Sequence, residues 1–182
     1  GGVVYLRRIE LGFAPRVSPE RRAEAAARER ESRSQYWLDE LFTLARGHNT
    51  ERALASAELW LNAATSIELP GDVKALVDAG RSWNEPREYA RLLRGLLPIF
   101  LARHQPALAL FTFEAGASSH SAFAPADEAT TLALATYARE TGRHRTALHV
   151  LERFLATTTK DSAARSRLTE LHEALRARIQ LK

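Results

Sequence analysis

Six histidines are the side chains in this 182-residue chain best suited to hold a metal or move a proton. Two of them sit in nearly the same text, Ala102-Arg103-His104-Gln105-Pro106-Ala107-Leu108 and Gly142-Arg143-His144-Arg145-Thr146-Ala147-Leu148. A looser copy, from Ala45-Arg46-Gly47-His48-Asn49 to Ala53-Leu54, lies upstream. Imidazoles converging on one point would mean a metal centre or a general base. Repeated text argues against convergence, because His48, His104 and His144 then lie about one structural unit apart. His144 and His149, five residues apart, do not share a helix face. Turn capping or packing between units is the expected role of all of them. Asp127-Glu128 reads as a first-turn pair favoured by the helix dipole rather than a catalytic dyad. No phosphate-cradling glycine loop, metalloprotease helix or nucleophile elbow is present. The absence of cysteine excludes disulfides and thiolate metal sites. A non-enzyme with no cofactor and no metal is expected.

The elements that position these residues are helices. In each copy an apolar helical pattern ends, a few turn residues follow, and a second helix opens on Ala-Leu. One supersecondary unit written three times predicts stacked helical hairpins. Ser18 and Pro19 open an Arg/Ala/Glu-rich helix with almost no large apolar side chain, expected to lie exposed. From Gln35 a wide apolar stripe begins with Tyr36, Trp37, Leu38, Leu41, Phe42 and Leu44. Thr50 is expected to cap the second helix, Leu69-Pro70-Gly71 to end the hairpin, and Asp72 to cap a short extra helix. Pro98 should kink or split the helix carrying Leu92 to Leu101. Gly116 and Ser118 to Ser121 mark the longest internal loop. A last helix from Ser162 places Leu168, Leu171, Leu175 and Ile179 on one stripe. The prediction is an all-α, irregular solenoid of antiparallel hairpins with about nine helices. Its parts are residues 1–34 (an N-terminal segment and exposed helix, linker or juxtamembrane), 35–160 (the repeats) and 161–182 (the capping helix).

With 45% hydrophobic residues the chain is long enough to bury one sizeable core. Net charge is +4, unevenly spread: +3 over residues 1–34, −4 over 35–138 and +5 over 139–182. Basic ends could steer anionic partners, although Glu140, Glu152, Glu170 and Glu173 alternate with the C-terminal arginines. Aromatic residues make up only 8%, so stacking platforms for nucleic acid are missing. No apolar run of 18 residues occurs. The opening Gly1 to Arg8 still looks like the cytoplasmic end of a membrane span, where positive charge is retained. With no methionine even at position 1, an excised domain or processed product is expected. The expected location is the cytoplasm, with an upstream membrane anchor as the alternative.

The unit from Thr131 to Thr159 resembles a tetratricopeptide repeat. Leu134 and Ala135 match the leucine and small residue of the first helix, Gly142 the turn glycine and His144 the aromatic after it. Ala147 matches the alanine of the second helix, with Leu148 and Leu151 on its core face. Thr131, Phe154 and Thr159 depart from the pattern, standing where Trp, Ala and Pro are usual. Trp37, Ala53, Leu54 and Leu61 fit the first unit; Gly95, Ala102, Ala107, Leu108 and Phe111 fit the middle one. The resemblance implies a right-handed superhelix whose inner groove is lined by first helices: Gln35, Leu38, Phe42 and Arg46; Leu92, Leu96 and Ile99; Leu132, Thr136, Arg139 and Glu140. It implies a scaffold for a peptide or helix of a partner protein, with Gln35, Phe42, Arg46, Arg139 and Glu140 as contacts. The alternatives are a regulatory domain of a membrane-anchored protein, and anion or nucleic-acid binding through the basic C-terminal end.

Overall fold

The computed structural model describes residues 18–64, 69–83, 85–157 and 163–180. Expectations for the N-terminal segment, for Thr159 and for Ser162 lie outside them. Eight α-helices and no strand occur among the described residues: α1 (Pro19–Arg46), α2 (Thr50–Ala63), α3 (Leu69–Arg81), α4 (Pro86–Ala102), α5 (Pro106–Ser119), α6 (Glu128–Glu140), α7 (His144–Thr157) and α8 (Ala163–Gln180). Three hairpins, α1/α2, α4/α5 and α6/α7, stack in chain order. Helix α3 is inserted after the first hairpin and rests on α5, α1 and α4, while α8 covers α7 and α6. All-α hairpin stacking is therefore as expected.

The count is eight because the exposed helix and the first packed helix are one. Nothing between Ser32 and Tyr36 interrupts α1, whose residues to Arg33 are exposed and whose Leu38, Leu41 and Ala45 are buried. The boundary expected after residue 34 thus falls inside a continuous helix. Tyr36, expected in the apolar stripe, is 60% exposed. Ser18 caps α1 and Asp127 caps α6, with Thr130 N–H donating to Asp127 at 2.7 Å. Asn49 rather than Thr50 caps α2, since the capping side chain must sit before the first helical residue. Leu69 and Pro70 begin α3 instead of ending a hairpin, proline being tolerated in a first turn. Pro98 does not split α4. It is exposed, so the carbonyl it leaves unpaired can turn toward water. Helix α5 continues through Gly116 to Ser119, and Gly116 lets the buried Phe123 ring lie against the helix backbone. A Cβ there would stand 2.5 Å from that ring.

The hairpin turns share one geometry. His48, His104 and Gly142 all have positive φ, at 59°, 56° and 78°. After each comes a long backbone bond from a residue to the carbonyl five positions back: Asn49 to Leu44, Gln105 to Phe100 and Arg143 to Ala138, at 2.9, 2.9 and 2.7 Å. The positive-φ residue itself donates to the carbonyl three back. This pair of bonds is a Schellman closure, which satisfies the last carbonyls of the first helix. His104 is thus equivalent to Gly142 and not to His144, which is the first residue of α7. The written repeat is two residues out of register with the structural one. Structural equivalents in the second helices are Ala53, Ala109 and Ala147, all at 0% exposure; Ala107 is exposed. Gly95 correspondingly does not serve its own hairpin. A Cβ on it would meet Leu54 of α2 at 2.4 Å, so it lets α2 and α4 approach.

A left-handed conformation costs a residue with a Cβ about 1–2 kcal/mol, and glycine little. His104→Gly should therefore raise stability by about 1 kcal/mol and Gly142→Ala lower it by a similar amount. Urea midpoints of the two variants against the parent would check both signs.

Candidate functional site

The described surface holds three clefts worth comparing by their charge. One of about 370 Å3 is lined by Arg46, His48, Ser82, Trp83 and Glu85, so a cation faces an anion. Another of about 330 Å3 is lined by Arg87, Glu88, Ala90, Arg91, Arg94 and His120. Its charges are largely engaged: Arg91 lies 3.8 Å from Glu51 and 3.9 Å from Glu88, and Arg94 donates to the Ala124 carbonyl at 2.9 Å. The third, about 510 Å3, is lined by Gly142, Arg143, His144, Arg145, Thr146, Arg178 and Ile179. It has three guanidinium groups and no carboxylate in its wall. Charge balance singles it out.

Two elements build this cleft. The Schellman closure at Gly142 turns the chain sharply, so Arg143 to Thr146 form one wall at the start of α7. Helix α8 packs on α7 through the buried Leu168 and Leu175, and its last turn supplies Arg178 and Ile179. Arg143 pairs with Glu114 of α5, which also accepts from Thr146 Oγ1 at 3.1 Å. Arg145 and Arg178 are exposed and have no ion-pair partner among the described residues. His144 Nδ1 is buried without a hydrogen-bond partner.

The residues expected to form a groove are distributed differently. Leu38, Leu92 and Leu96 are buried in the core, so they offer nothing to a partner. Gln35 is exposed and donates to Asp39 Oδ1 at 2.8 Å on its own helix. Phe42 is half-buried against the core. Arg46 is exposed and lines the balanced cleft. Arg139 and Glu140 are exposed on the last turn of α6, just before Gly142. Leu132, two turns earlier on the same helix face as Arg139, is 38% exposed. Arg143, Arg145 and Arg178 were not singled out as contacts from the sequence. The local signal was the net +5 of residues 139–182, discounted because acids alternate with the arginines. None of those acids lines the cleft.

No group of three or more metal-ligating side chains converges among the described residues. No described helix is long and apolar enough to cross a membrane. Comparison with protein-family models, with curated proteins and with solved structures finds no match.

His149 of α7 reports on the packing behind the cleft. Its Nε2 accepts from Arg153 Nε at 2.8 Å, and its ring meets Phe113 edge-on at 5.9 Å. Burial first, and the Arg153 charge second, hold its pKa below the usual 6.5, against the opposing pull of Glu152 and Glu114. The unfolded chain therefore takes up a proton, as pH falls through 6.5, that the folded chain resists. Stability should fall below pH 6.5 and level off once pH passes the depressed folded value. His149→Gln, which keeps an acceptor for Arg153, should flatten that decline in urea titrations run at stepped pH.

Proposed function

We propose that this chain is a non-catalytic scaffold that binds a peptide or helix of a partner protein on its helical-repeat surface. The proposal includes a tetratricopeptide-like, right-handed course for the stack. One observation carries it. The outward face of α6, with Leu132, Arg139 and Glu140 exposed and Thr136 half-buried, ends at a cleft where Arg145 and Arg178 have no ion-pair partner among the described residues. The opposite face of the same helix is spent on the core through Thr131, Leu134, Ala135 and Ala138. An apolar residue beside charges on an open helix suits a docked segment of another chain. On this reading the chain works in the cytoplasm. An anchor preceding it would leave the Arg7-Arg8 pair on that side of the membrane.

Anion or nucleic-acid binding at the basic C-terminal end is the second reading, favoured by the three arginines of the cleft. Its lining includes no Phe, Tyr or Trp on which bases could stack.

Affinity capture from the source cell with the wild-type chain beside an Arg46→Glu/Arg139→Glu double variant tests the scaffold. Recovery of the bound protein should fall at least about tenfold with the variant, equivalent to about 1.4 kcal/mol. Equal recovery would remove these arginines from the contact surface. Recovery of no protein partner would remove the scaffold reading itself.

A further inference from the structure

We infer that the cleft between the α6–α7 turn and the end of α8 is the binding site for an acidic peptide segment, its carboxylates gripped between Arg145 and Arg178. This rests on the scaffold reading and names the chemistry of the partner. The two guanidiniums come from different helices and from positions far apart in sequence, yet they line one concavity of about 510 Å3. That volume falls within the size range of ligand clefts. Neither group has an acidic partner among the described residues, and like charges held in one cleft repel unless an anion lies between them.

The wall already displays the recognition it offers. Glu114 of α5 accepts from both Arg143 and Thr146, so one carboxylate is satisfied there by the protein itself. That bond anchors Arg143 and leaves Arg145 and Arg178 as the open pair. Arginine presents a planar fork that matches a carboxylate in two parallel bonds and stays charged at any physiological pH. The first turn of α7, like those of α5 and α8, contains no acidic residue, whereas α1, α2, α3, α4 and α6 each carry one there. An incoming carboxylate supplies the negative charge that those helices carry in their own sequence. Ile179 provides an apolar surface for the aliphatic part of a Glu side chain. The lack of aromatic lining disfavours a nucleic-acid strand, which would need stacking to hold it.

The test is titration of the full 182-residue chain with a fluorescent peptide rich in Asp and Glu, beside its Asn/Gln counterpart, a single-stranded oligonucleotide and inorganic phosphate. The acidic peptide should bind at least tenfold tighter than the amide peptide and resist competition by the other two. Arg145→Gln/Arg178→Gln should weaken it at least tenfold with an unchanged thermal midpoint, both side chains being exposed. Arg46→Gln, in the separate cleft, should leave it within twofold. Binding within twofold in the Arg145/Arg178 double variant, or none at millimolar peptide, overturns the proposal. Displacement by the oligonucleotide would make the end a nucleic-acid surface, and displacement by phosphate a simple anion site; either also overturns it. Should the cellular partner survive Arg145→Gln/Arg178→Gln yet vanish with the Arg46/Arg139 reversal, the cleft assignment fails while the scaffold stands.

Discussion

The structure depends on a backbone constraint that recurs three times: one residue with left-handed dihedrals just past the end of a first helix. That residue lets the following N–H reach five positions back, closing carbonyls that would otherwise be orphaned. His48, His104 and Gly142 occupy these places. Two histidines accept a conformation that glycine adopts at lower cost, and they do so in the open, since both are exposed. The reversal fixes where the second helix starts and hence its rotation. Ala53, Ala109 and Ala147 then fall at the fully buried crossing, where a larger side chain would push the helices apart. Hairpin geometry, crossing residue and stacking surface all follow from one dihedral.

Much of this was legible, and the failures have physical reasons. Helical periodicity located the hairpins because apolar faces and turn residues are local properties. The repeat register was misread because Arg-His text matches side chains, while the turn is defined by φ, which Gly142 and His104 share and His144 does not. Gly116 reads locally as a breaker, yet it is helical, and its missing Cβ makes room for a ring from the following loop. Gly95 fits the middle unit by its text, yet its missing Cβ makes room for Leu54 of the neighbouring hairpin. Both are tertiary facts, and tertiary contacts routinely override local propensity.

The candidate site was less legible than the fold. Leu92 and Leu96 stand at groove positions of the resembled family, but Gly95 draws α4 against Leu54 of α2 and both leucines go into the core. Alternating charge in residues 139–182 looked self-neutralising. On helices, alternation in sequence becomes separation in space, so Glu152, Glu170 and Glu173 leave the cleft to Arg143, Arg145 and Arg178. Glu152 instead lies 3.7 Å from His172. No window on the sequence joins Arg145 to Arg178, because their proximity exists only once α8 lies along α7.

The irregular insertion helps explain why the basic end is the place to look for contact. Helix α3 and the turn after it brace the middle of the stack. Tyr89 donates its hydroxyl to the Val77 carbonyl at 2.8 Å, burial raises its pKa to about 12, and its ring takes the space that a Cβ on Gly80 would need. Trp83 meets the same ring edge-on at 5.9 Å. Among the described residues α8 follows the third hairpin, and it brings only two buried leucines, Leu168 and Leu175, to that contact. The junction between the third hairpin and α8 is therefore where a concavity persists without emptying the core, and the sequence lines that junction with arginine.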